Sequence, residues 1–107
     1  MMKIIKTDFK EKVRSVVCAI PKGYVLTYKD VALFAGFPGA ARAVGTLMKN
    51  NFATQVPCHR VVRSDGKVGE YNRGGTKSKV NKLRAEGAYK SNVSLRYWKP
   101  KINQIPK

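Results

Sequence analysis

The feature that most constrains this chain is the punctuation between residues 27 and 50. Thr27, with Asp30 three positions on, reads as a helix start, and the pattern of Val31, Leu33 and Phe34 ends at Gly36. Phe37-Pro38-Gly39 forms a tight connector, after which Ala40 to Lys49 resumes a helical pattern. Two short helices joined by a Gly/Pro turn, in a strongly basic chain, predict a helix-turn-helix. In the second of them Ala40, Ala41, Ala43 and Gly45 leave Arg42 as the single long side chain of the first turns. Such small residues let a helix approach another helix or an outside backbone closely, and only the second use gives Arg42 a role.

The flanking segments give a mainly α chain with a small β-hairpin. Asp8 and Glu11 make a variant capping box ahead of Phe9, Val13, Val16, Val17 and Ile20, so a helix is expected over about 8–20, stopped by Pro21 and Gly23. Cys18 falls nearly opposite Phe9, off the apolar stripe. Tyr24-Val25-Leu26 and the run from Cys58 to Val62 read as extended. Asp65-Gly66 between extended residues predicts a hairpin, a candidate wing. A last helix over 76–86 puts Val80 and Leu83 inward and stops at Gly87. Residues 88–107 are basic, carry Trp98 and lack a clear period, which suggests a docked or partly mobile tail.

With 107 residues the chain is read as one domain, so any site must share the surface of that fold. Lys and Arg number 22 against 6 Asp and Glu, a net charge of +16 spread along the whole chain. That balance favours a polyanion partner, and nucleic acid before an anionic membrane, because no basic amphipathic helix with an aromatic face is evident. No apolar run approaches the roughly 20 residues needed to cross a bilayer, so a soluble protein is expected. The basic start has only two consecutive apolar residues after Lys3, which argues against a secretory signal. Cys18 and Cys58 are expected as free thiols in a reducing compartment, and one histidine with two cysteines makes no metal-ligand set.

The chemistry points to Cys58 and His59, adjacent in a basic segment. A thiol with a pKa of about 8.5 is only a few per cent thiolate at neutral pH, so a nucleophilic cysteine needs a base or positive surroundings. If the segment is extended, neighbouring side chains point to opposite faces, and a local kink or a bridging water must bring sulfur and imidazole into communication. A third group must orient the ring. Of six acids, Glu86 at the end of the last helix is a candidate that spacing alone does not select.

The string Pro57-Cys58-His59-Arg60-Val61-Val62 resembles the active-site motif of the O6-alkylguanine-DNA alkyltransferases, the methylated-DNA–protein-cysteine methyltransferases. The likeness runs from about Phe9 to Gly87, through Thr27-Tyr28, Ala35-Gly36, Ala40 to Gly45, Asn51 and Gly69-Glu70-Tyr71. It implies a winged helix-turn-helix domain, over residues 1–87 ahead of the 88–107 tail, that transfers an alkyl group once and irreversibly from O6-alkylguanine to Cys58. By the same resemblance His59 is the base acting through a water, Glu86 orients it, Asn51 braces the turn presenting the cysteine, and Tyr28 assists the departing guanine. Arg42 enters the base stack when the nucleotide is flipped out. Thr27, Ala40, Ala41 and Gly45 belong to the DNA-facing set, while Tyr71, Asn72 and the backbone carbonyls of Val61 and Cys58 surround the everted base. The implied partner is double-stranded DNA carrying the lesion, met by a monomer in the cytoplasm or, in a eukaryote, the nucleus, with neither cofactor nor metal.

The sequence also departs from the family. The N-terminal domain common in its members is not seen ahead of Phe9, the loop from Asn51 to Cys58 is one residue shorter, and Asn72 stands where serine is common. A related class of lesion sensors, which recruit other repair factors without transfer, generally replaces the cysteine, and Cys58 with His59, Asn51 and Glu86 speaks against it. A winged-helix transcription factor explains the charge but gives no role to Cys58 and His59.

Overall fold

The computed structural model describes residues 6–50, 56–65, 75–90 and 94–106. Helix α1 spans Lys6–Ala19, and its stripe of Val13, Val16 and Val17, continued by Ile20, is buried, while Cys18 is exposed. Strand β1, Leu26–Thr27, leads directly into α2, Tyr28–Phe34. Thr27 begins that helix because its Oγ1 accepts a hydrogen bond from the Asp30 backbone N–H at 3.0 Å, satisfying one of the donors that a helix start leaves open. Its other end is closed by a pair of backbone bonds, Gly36 N–H to Leu33 O and Phe37 N–H to Ala32 O. Helix α3, Ala41–Asn50, follows after a turn of four residues, and α2 and α3 pack together as the expected helix-turn-helix.

A turn of 3-10 helix, Cys58–Arg60, precedes strand β2, Val61–Val62, which pairs with β1 in parallel, Leu26 opposite Val61 and Thr27 opposite Val62. Parallel strands need a crossover, and here the crossover contains the helix-turn-helix. Helix α4, Gly75–Ala85, closes against the 58–60 turn. The expected hairpin at Asp65-Gly66 extends into residues outside those described; the small sheet that is described is the parallel pair of β1 and β2.

Alternation along these short strands divides the interior. Leu26 and Val61 join α1, α2 and α3 in the larger apolar cluster, whereas Val25 and Val62 face Leu83, Ala88 and Leu95 in a smaller one. The chain after α4 supplies part of that second cluster. Val25 donates to Arg96 O and accepts from Trp98 N–H, each at 2.8 Å, and Tyr89 bridges antiparallel to Leu95. Arg84 also lies over the Tyr89 ring at 4.8 Å. Sequence reading misses this pairing because one hydrogen-bonded residue in several gives no period.

Candidate active site

The segment 58–62, expected to be extended throughout, is not. Its first three residues form the 3-10 turn, held by Arg60 N–H to Pro57 O at 3.0 Å and by Val61 N–H to Cys58 O. The kink that the adjacent thiol and imidazole require is therefore built into the backbone. It leaves Cys58 at 6% exposure and His59 at 8%, a nucleophile within the apolar cluster yet not sealed by it. The Cys58 carbonyl, expected to face a base edge, already accepts one hydrogen bond inside the turn.

Helix α4 delivers the acid. Gly87 adopts φ +77°, a left-handed conformation that suits glycine, and lets its N–H reach Arg84 O while Ala88 N–H reaches Leu83 O. Glu86 is thereby fixed as the last residue before the chain turns away. The turn before β1 presses on this point: a Cβ on Gly23 would lie 3.1 Å from the Glu86 carbonyl oxygen.

From that position Glu86 Oε2 accepts from His59 Nε2 at 2.9 Å, and Arg60 grips both carboxylate oxygens, Nε to Oε1 at 3.0 Å and NH2 to Oε2 at 2.8 Å. Arg60 NH1 also donates to Ile20 O at 3.0 Å, tying the cluster to the end of α1. Burial would raise the Glu86 pKa, but the hydrogen bonds and charges of Arg60 and His59 outweigh it and hold the carboxyl at about 2. An ionised carboxylate on Nε2 assigns the proton to that nitrogen, leaving the buried Nδ1 as the atom able to accept one. Burial lowers the His59 pKa below 6.5, against the opposing pull of Glu86, so the ring is neutral and basic near pH 7.

Arg60 is the residue that sequence reading overlooked here. Its one signal was its place beside His59 in a chain with few acids. Lys79 was overlooked as well: it is fully buried on the inner face of α4, while Val80, expected inward, is only half-buried. Lys79 Nζ stands 5.7 Å from the centroid of the Tyr28 ring. Tyr28, the first residue of α2, thus meets the inner face of α4 through this lysine.

The DNA-facing candidates occupy another surface. Arg42 and Ala43 are exposed and Ala40, Ala41 and Gly45 half-buried, while Val44, Leu47 and Met48 bury the opposite side of α3. Nothing lies within 4 Å of where a Cβ on Gly45 would sit, so packing does not demand glycine there. A groove of about 580 Å³, lined by Phe9, Phe37, Pro38, Gly39, Ala40 and Ala43 among others, includes none of Cys58, His59 or Glu86. Asn51, Tyr71 and Asn72 lie outside the described residues.

Comparison with known proteins bears on this arrangement. Residues 8–88 match the family described as 6-O-methylguanine DNA methyltransferase, DNA binding domain. The methylated-DNA–protein-cysteine methyltransferase of Methanothermobacter thermautotrophicus is 48% identical over 82 residues, which are 76% of this chain and 45% of that protein. The chain thus spans less than half the length of that relative. The crystal structure of Mycobacterium tuberculosis OGT in complex with DNA superposes with a TM-score of 0.70 at 40% identity, over 79% of this chain and 53% of that one. That of Schizosaccharomyces pombe Atl1, in complex with damaged DNA containing O6-carboxymethylguanine, gives 0.75 at 33% identity, over 92% of this chain and 100% of the other.

Proposed function

Since the chain belongs to the 6-O-methylguanine DNA methyltransferase family, through its DNA-binding domain, we propose that it repairs O6-alkylguanine in DNA by moving the alkyl group onto Cys58. The observation that carries this reading is the buried relay of Cys58, His59, Glu86 and Arg60 gathered at one turn and one helix end. The thiol proton passes by way of a water to His59 Nδ1, the sulfur attacks the alkyl carbon, and the bond from that carbon to O6 breaks with its electron pair retained by guanine. Tyr28 supplies a hydrogen bond or proton to the departing base. The product is a thioether with no group positioned to cleave it, so each molecule acts once. Glu86 holds the ring in the productive tautomer, and Arg60 holds Glu86.

Arg42 is the group that fills the stack when the damaged nucleotide is everted, with Thr27, Ala40, Ala41 and Gly45 against the backbone. The protein acts as a monomer on double-stranded DNA, in the cytoplasm or, in a eukaryote, the nucleus. Intact mass after incubation with an O6-methylguanine oligonucleotide tests the proposal. A gain of one methyl, absent in Cys58→Ser, is expected; binding without mass gain would overturn transfer. That second outcome is the behaviour of a non-catalytic lesion sensor, a reading favoured by the full-length match to the Schizosaccharomyces pombe protein.

A further inference from the structure

The relay leaves one buried ionisable group unused. Lys79 has no solvent exposure, an uncommon state for a lysine, and it projects from the inner face of α4 between the 58–60 turn and α2. Its ammonium lies over the Tyr28 ring at 5.7 Å, within the range at which a ring face attracts a cation. Of the two influences resolved on it, burial acts to discharge it, bringing its pKa down to about 8, and the Cys58 thiol acts to keep it charged. Attraction of this kind is mutual: a cation favoured by a thiolate favours that thiolate in return.

We propose that Lys79 is the internal counter-ion of the Cys58 thiolate, a positioning residue that joins the nucleophile to Tyr28 across the reacting centre. This role rests on the alkyl-transfer reading. Other groups around Cys58 act differently. His59 and Arg60 share its turn but are both committed to Glu86 at the end of α4, and Lys82 of α4 and Tyr28 of α2 complete the ionisable set. A counter-ion changes reactivity in a recognisable way. It raises the thiolate fraction at neutral pH, but a thiolate of lower pKa is intrinsically less nucleophilic, with a Brønsted coefficient of about 0.4–0.5. A purely structural lysine has neither effect.

The test uses a Cys18→Ser background, so that the exposed thiol does not react, and follows alkylation of Cys58 by iodoacetamide against pH by intact mass. In Lys79→Met the midpoint is expected to rise by about one pH unit, with the rate at pH 7 about threefold lower and the plateau at high pH about threefold higher. Lys79→Arg should remain near the parent. A folded Lys79→Met with an unchanged profile overturns the proposal. Should that variant not fold, NMR titration of the Lys79 side chain in the parent and in Cys58→Ser decides: loss of the thiolate should lower the Lys79 midpoint, and an identical midpoint overturns the assignment. Neither measurement involves DNA, so both stand apart from whether the protein accepts an alkyl group from guanine.

Discussion

The outer side of α3 and the inner end of α4 use side chains in opposite ways. On α3 the exposed surface is nearly bare: alanines, a glycine that packing does not require, and one arginine with open space around it. At the end of α4, charged groups crowd into a buried corner, each held by more than one partner. A surface made for an outside partner can be altered at little cost to the fold. A buried charge network cannot, because removing one member strands the rest without water.

The largest effect is therefore expected at Glu86. In Glu86→Gln the His59 and Arg60 side chains lose their carboxylate, with a predicted loss of about 3 kcal/mol in urea unfolding and at least about a hundredfold in single-turnover rate. The sign with pH follows from a folded pKa of about 2 against 4.5 for the unfolded group. The stabilisation is complete above 4.5 and lost as pH falls toward 2, so the parent should show an acid-induced loss over that window that Glu86→Gln lacks. Equal acid sensitivity in the two would mean that the carboxylate does not anchor this corner.

A smaller effect, confined to function, is expected on α3. Arg42→Ala should slow repair of duplex DNA about tenfold or more while leaving reaction with a free O6-alkylguanine base and the unfolding midpoint nearly unchanged. Equal slowing with both substrates would remove Arg42 from the flipping step. The smallest effect sharpens the contrast most. Gly45→Ala should stabilise the fold by about 0.5–1 kcal/mol, since glycine is poor in a helix interior, and yet weaken binding to duplex DNA. Stabilisation with unchanged DNA affinity would show that the bare face is not where DNA lies.

The same two regions differ in how much of each could be read from sequence. The α2–α3 unit was legible because its signals are local: the Thr27 cap, Gly36 at the stop, and small residues gathered on one helix. The corner at Glu86 was not. His59 and Glu86 are 27 positions apart and meet only because α4 folds back on the 58–60 turn, so the pairing came from a family resemblance and not from spacing. Arg60 was hidden because a basic residue in a chain of net charge +16 attracts no notice. Lys79 was hidden because helical spacing places apolar residues inward, and Val80 with Leu83 satisfied that expectation at the neighbouring angle. The stretch after α4 was obscure for a related reason: Arg96 and Trp98 bond to Val25, a partner some seventy positions earlier.

Glu86 stands where α4 ends, and that has a consequence for how the chain tolerates change. Each residue added to or removed from an α-helix turns everything beyond it by about 100° and shifts it by about 1.5 Å. Helix α4 therefore works as a ruler between Gly75 and the carboxylate: an insertion within it would swing the acid off the imidazole and rotate the lysine away from the sulfur together. Drift in length is compatible with chemistry only outside that helix, whatever substitutions its solvent-facing positions accumulate.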